Sequence, residues 1–170
     1  MPSKAMCSHV TNWNKRASVK FRVDVCFTCK LGFDIDLKSM RPEDLQYCKE
    51  AVKEYDRLKP VIYSPNLYRL VSPYETRHCV IERVSDDKSH AVVAAYDIHP
   101  DFNEQLLPTR LEGLDADANY RVREICLMPG QQSTLSFNGK VFSGDYLMKI
   151  GLGLTTGDDM SSRLIEIIKE

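Results

Sequence analysis

The sequence has no run of about 18 apolar residues, the length a helix needs to cross a bilayer. It also lacks a charge excess: 23 Lys and Arg stand against 24 Asp and Glu, a net charge of -1. With no basic patch interleaved with aromatics, composition gives no case for nucleic acid or an anionic membrane as partner. Residues 1–10 carry no apolar core of the kind a secretory signal needs. The six cysteines, Cys7, Cys26, Cys29, Cys48, Cys79 and Cys126, therefore read as free thiols of a reducing compartment, which favours the cytoplasm. There is no internal repeat, no low-complexity tract, no His-x-x-x-His and no Gly-x-Ser-x-Gly.

What is present is ordinary for a globular domain: 170 residues, 43% hydrophobic and 28% charged. A chain of this length can bury roughly two thirds of its unfolded surface. The apolar period changes near position 60. Before it, Leu45, Cys48, Val52 and Tyr55 recur at helical spacing and predict a helix over 42–58. Pro42 suits its first turn, Glu43 and Asp44 suit the positive end of its dipole, and Lys59-Pro60 should end it. Two strands are expected ahead of it, at 6–10 and at 21–27, where Val23, Val25 and Phe27 alternate. After Pro60 the pattern is all-β, with strands expected at 67–72, 79–84, 91–98, 109–112, 120–127, 134–137, 140–142 and 163–168. Turn signals fall at Ser85-Asp86-Asp87, Gly113-Leu114-Asp115 and Asn138-Gly139, the last a strong hairpin signal. Residues 143–148 read as a loop leading to a short edge element. Short strands at this spacing predict a mainly β fold, an antiparallel β-sandwich.

The candidate sites resolve mostly into structure. Cys26-Phe27-Thr28-Cys29 is a CxxC, but a redox pair needs a helix N-terminus and a zinc site a second ligand pair; these cysteines sit at an expected strand end. His78, His90 and His99 fall at strand or turn edges and read as surface or packing residues. Glycosidase carboxylates face one another across a sugar from different strands or loops, about 5–10 Å apart. Neighbours such as Asp86 and Asp87, or Asp158 and Asp159, cannot do so and are better explained as turn residues bonding their own backbone. Asp115, Asp117 and Asn119 alternate like calcium ligands but lack the glycine and distal glutamate of such a loop. Trp13, Tyr63, Tyr68, Tyr74 and Tyr96 could stack on sugars; at strand spacing they read as packing. No cofactor or metal is expected.

Several segments, in order, carry a family resemblance. They are Met6-Cys7-Ser8-His9-Val10, the stretch 22–37, Tyr55-Asp56-Arg57-Leu58-Lys59-Pro60, Leu67-Tyr68-Arg69-Leu70-Val71-Ser72-Pro73-Tyr74-Glu75, Asp87-Lys88-Ser89-His90-Ala91-Val92-Val93, Leu111-Glu112-Gly113-Leu114-Asp115 and Ser143-Gly144-Asp145. Over essentially its whole length the chain resembles the C-terminal part of family 36 glycoside hydrolases, the bacterial α-galactosidases. The resemblance implies that residues 1–60 are the last strand-and-helix piece of a catalytic (β/α)8 barrel and 61–170 a C-terminal sandwich. It also implies a native N-terminus further upstream.

The departures matter as much. The family's nucleophilic Asp follows a Lys-Trp pair, and its acid/base Asp comes later; both lie upstream of anything matching Met1, and no Lys-Trp-Asp occurs here. Where many members have Pro-Asn-His-Gln-Thr-Gly-Arg, this chain has Thr11-Asn12-Trp13-Asn14-Lys15-Arg16. The implied parent is a retaining glycosidase acting on α-galactoside oligosaccharides such as raffinose or melibiose. This chain would hold none of its catalytic residues, and Ser8 and His9 would lie near the substrate at the barrel mouth. Part of a barrel cannot close, so residues 1–60 would pack imperfectly or drive homo-oligomerisation, while 61–170 would hold together alone. The alternative is a stand-alone, non-catalytic β-sandwich that binds carbohydrate or assists assembly.

Overall fold

The computed structural model describes residues 3–13, 16–100 and 107–170. The segment that departs from the family pattern after His9 is therefore described only in part, since Asn14 and Lys15 fall outside these residues. The chain runs β1 (Cys7–Thr11), α1 (Val19–Cys26), β2 (Lys30–Asp34), α2 (Pro42–Ile62), β3 (Asn66–Val71), β4 (His78–Val84), β5 (His90–Asp97), β6 (Asn119–Ile125), β7 (Val141–Ser143), α3 (Gly144–Lys149) and β8 (Ser161–Lys169). β1 and β2 form a parallel pair; the rest form one six-stranded antiparallel sheet ordered β3-β4-β5-β8-β6-β7. No described helix is long and apolar enough to cross a membrane.

The mainly β, antiparallel expectation holds, and the structure sharpens how its layers are built. One face of the large sheet packs on α1 and α2 through Val92, Ala94, Tyr96, Ile125 and Leu164. The other, through Val80, Val93, Tyr120, Val122, Ile165 and Ile167, packs on Leu111, Leu114, Leu147, Leu152 and Leu154. β5 and β8 lie between covered faces, which explains the almost unbroken apolar run Ala91–Tyr96. The C-terminal strand thus occupies the middle of the sheet, between β5 and β6.

The expected strand at 21–27 is instead the helix α1. Val19, Val23 and Cys26 also fit one helical face, with Phe21 buried on the opposite one, and the Ser18 side chain caps the helix by accepting from the Phe21 amide at 3.0 Å. The alternation was real but ambiguous; a crossover between parallel strands resolves it as a helix. β2 was missed because Lys30, Gly32 and Asp34 are poor strand formers. α2 does not stop at Leu58 but runs through Pro60 to Ile62. Pro60 falls in the last turn with an exposed ring, and burying Val61 (3% exposed) and Ile62 (0%) against the sheet outweighs its lost amide.

Three further differences lie after the sheet begins. The expected strand at 109–112 reduces to one bridge, Thr109 with Leu152. Residues 134–137 form no strand; Leu135 and Phe137 lean on the second core from a loop. Asn138-Gly139 does turn, with Gly139 at φ +79°, but it docks on β6: Asn138 Oδ1 accepts from the Glu124 amide at 2.8 Å and Gly139 donates to Val122 O at 2.7 Å. Residues 144–149 are helical, because Ser143 caps them by accepting from the Tyr146 amide at 3.1 Å.

Residues ahead of Pro60 are not loosely attached. Phe21 meets Tyr96 edge-on at 5.8 Å. The Tyr96 hydroxyl donates to the Asp24 carbonyl at 2.9 Å. Arg57 of α2 reaches Glu166 of β8 at 2.5 Å.

Candidate functional site

β1 and β2 present two faces. The register pairs Cys7 with Lys30, His9 with Gly32 and Thr11 with Asp34, so these six share one face. Val10, on the other face, is fully buried in the core with α1 and α2. Ser8 shares that inner face, close to the Cys26 and Cys29 thiols. The structure thus separates the two residues singled out from sequence: Ser8 points inward, and His9 lies exposed on the outer face with Nε2 3.1 Å from Cys7 Sγ. The His9 ring lies across β2 because position 32 is glycine; a Cβ there would sit 2.8 Å from His9 Cδ2. Thr11 and Asp34 stand at the C-terminal ends of the two strands.

The CxxC lies at the end of α1, with Cys29 in the following turn, and not at a strand end. A helix C-terminus disfavours a thiolate. Burial pushes the Cys26 thiol up to about 11 and raises Cys29 as well. Among the described residues no three His, Cys, Asp or Glu side chains gather as a metal site.

Of the carboxylates singled out as turn residues, Asp87 and Asp115 bond the backbone of their own turns, whereas Asp86 and Asp159 accept from the distant Asn66 and His99. Hydrogen bonds from Ser85 and Ser89 hold Asp87 down at about 2. Asp115 accepts from the Asp117 amide at 3.2 Å and from Lys169 at 2.9 Å; Asp159 accepts from the His99 amide at 3.1 Å. The tyrosines do not share a surface: Tyr96 is core, Tyr63 bonds Tyr55 at 2.8 Å, Tyr68 lies under Gly113, and Tyr74 is 98% exposed. Gly113 must be glycine, since its φ is +73° and a Cβ would come within 2.4 Å of Tyr68 Oη.

Sequence reasoning missed several buried carboxyl groups, Asp24, Glu82, Asp97 and Glu166 among them, because each has a partner far away in the chain. Asp24 accepts from Tyr47 at 2.5 Å, from Ser162 at 2.7 Å and from Lys20. Asp97 binds His78 Nδ1 at 2.5 Å and holds the 155–157 turn through Thr155, Thr156 and Gly157. Burial would raise Asp97, but those bonds outweigh it and keep the carboxyl below its usual range. Glu166 is treated the same way by His90, Arg57 and Arg123 and ends at about 2.

Glu82 is the exception. It is fully buried, its Oε2 accepts from the Glu112 amide at 2.8 Å, and its Oε1 has no partner. Burial pushes its carboxyl up to about 8. The folded chain therefore keeps a proton that the unfolded chain releases near 4.5, so stability falls as pH rises from about 4.5 to 8. Glu82→Gln is expected to match the parent chain at pH 5 and exceed it by on the order of 4 kcal/mol at pH 8. Urea melts at the two pH values check this; equal gains at both would mean that Glu82 is not protonated in the fold.

The arrangement defines an antiparallel β module with a β-α-β-α unit fastened to one face and a polar strand face left open. Its residues 78–167, just over half the chain, match the glycosyl hydrolase family 36 C-terminal domain, and the chain belongs to that family. It is 28% identical over 158 residues to the α-galactosidase AgaA of Geobacillus stearothermophilus, covering 90% of this chain and 20% of that protein. The solved structure of the family 36 α-galactosidase AgaB from the same organism superposes with a TM-score of 0.83 at 27% identity, over 99% of this chain and 22% of that one. A variant of AgaA, solved in complex with raffinose, superposes with the same TM-score at 26% identity, over 99% of this chain and 22% of that one. The chain thus spans about a fifth of the length of the relatives it matches.

Proposed function

We propose that this chain is the C-terminal portion of an α-galactosidase that cleaves terminal α-galactosyl groups from oligosaccharides with retention, and that it has no turnover alone. The observation that carries this reading is the match to family 36 over nearly the whole chain but only a fifth of the relatives' length. Residues 1–60 would be the last part of a (β/α)8 barrel. In support, β1-α1-β2-α2 is the repeating order of that fold, with β1 parallel to β2.

A retaining glycosidase needs two carboxyl groups about 5 Å apart flanking the sugar. Asp24, Asp97 and Glu166 are committed to internal partners, Glu82 is sealed in the core, and the carboxylate on the open face of β1 and β2 is Asp34 alone. The contribution of this chain would be one wall of the sugar pocket: His9 on the open face, with Thr11 and Asp34 at the strand ends where sites of this fold sit. The chain by itself is expected to release no p-nitrophenol from p-nitrophenyl α-galactoside. Turnover above a heat-killed control would overturn the reading.

A further inference from the structure

A cavity of about 670 Å³ opens on the face of the large sheet that α1 and α2 do not cover, a size typical of ligand pockets. All of its walls come from residues after Pro60: Leu70 on β3, Thr76 and His78 entering β4, Arg110 and Glu112 on the facing segment, and Ile150 beyond α3. Those walls are fastened. Thr109 and Leu152 exchange two backbone bonds at 2.9 Å, Leu111 N donates to Leu147 O at 3.0 Å, and Glu112 N donates to Glu82 at 2.8 Å. Along this extended segment Thr109 and Leu111 are buried, so Arg110 and Glu112 stand together on the exposed side.

His78 makes the cavity a site. It is only 4% exposed, yet it lines the cavity. It pairs in register with Asp97 across β4 and β5, so the two side chains share the face of the sheet that carries Val80 and Val93. Asp97 binds Nδ1 at 2.5 Å and is itself held by Thr155, Thr156 and Gly157. With a carboxylate at Nδ1 the neutral ring keeps its proton there, and Nε2 is left as an acceptor of fixed orientation.

We propose that this cavity binds a neutral saccharide unit. Its charges favour a neutral ligand: Arg110 and Glu112 offset one another at the mouth and Asp97 lies behind His78, so an anion meets two carboxylates and a cation meets a guanidinium. A sugar hydroxyl both donates and accepts, so one hydroxyl donates to Nε2 while its neighbours bond Arg110 and Glu112. The apolar face of the sugar ring packs on Leu70 and on Ile150, which is 54% exposed. Because the walls are already bonded in place, little ordering accompanies binding. The site uses neither β1 nor β2, goes beyond the functional reading above and stands without it.

The test titrates the full chain with galactose, melibiose and, separately, inorganic phosphate, following the histidine ring nitrogens by NMR. Galactose and melibiose are expected to shift His78 Nε2 saturably, and phosphate is expected not to. His78→Gln should abolish the binding. Since that variant also removes a buried partner of Asp97, the exposed Arg110→Ala is tested beside it: it is expected to melt as the parent chain does and to bind either sugar roughly tenfold more weakly. No shift of His78 up to the solubility limit of the sugars overturns the site. So does Arg110→Ala binding as tightly as the parent chain. Phosphate binding in place of the sugars overturns the neutral ligand. Sugar-induced shifts confined to His9 overturn this cavity and leave the reading of His9 as part of a sugar pocket standing.

Discussion

Asp24→Ala is expected to remove about 4 kcal/mol of stability, a large share of what a domain of this size possesses. Asp24 sits on α1 with no exposure and is the meeting point of three elements. Its carboxylate accepts from Tyr47 of α2 and Ser162 of β8, and from Lys20 one turn away. Burial pushes its pKa up, and Lys20, Tyr47 and Ser162 recover only part of that cost. Its net worth as a charge is therefore small. The loss on deletion comes from what is left behind: two buried hydroxyls without an acceptor, at about 1–3 kcal/mol each, and a small cavity. Lys20 keeps some exposure and can turn to water. Tyr47→Phe, which removes one donor and leaves no orphan acceptor, should cost only about 1 kcal/mol. Urea midpoints read both; an Asp24→Ala loss below 1 kcal/mol would mean that Asp24 does not join the helices to the sheet.

Residues 61–170 are expected not to fold alone, although their sequence reads as a self-sufficient β domain. Removing α1 and α2 uncovers Val92, Ala94, Tyr96, Ile125 and Leu164 on one side of the sheet. At about 1–3 kcal/mol per large side chain, the loss is roughly 5–10 kcal/mol, comparable with the whole stability of a domain. It also takes Arg57 from Glu166. The truncated chain should aggregate or bind a hydrophobic dye and show no cooperative melt, whereas the 170-residue chain should melt in one transition. A cooperative melt for 61–170 would mean that the helices are an accessory to the sheet.

The strands β3, β4, β5, β6 and β8 were legible because each carries an apolar run or alternation long enough to exclude a helix, and the turns between them carry Asp, Asn or Gly where the backbone needs it. α2 was legible for the same reason at helical spacing, though its last turn was not. Pro60 is a local stop signal, and only the sheet beneath Val61 and Ile62 overrides it. α1 failed because Val23, Val25 and Phe27 satisfy a period of two while Val19, Val23 and Cys26 satisfy a helix. Eight residues are too few for periodicity alone to decide.

The separation of Ser8 from His9 follows from strand alternation and could be read once β1 was placed. That His9 lies on an open face beside Gly32 could not, since β2 carries no strand signal of its own.

The sequence by itself determined the family, the antiparallel β character of the larger part, and the use of Asp87 and Asp115 within their own turns. These depend on neighbours within a few residues or on motifs kept in order. Only the tertiary structure decided that β8 lies in the middle of the sheet, that α1 and α2 share its core, and that of the buried Asp24, Glu82, Asp97 and Glu166 the first two have raised pKa values and the last two lowered ones. Burial and distant partners set the energy of a carboxyl group, and Asp24 and Ser162 are brought to 2.7 Å only by folding.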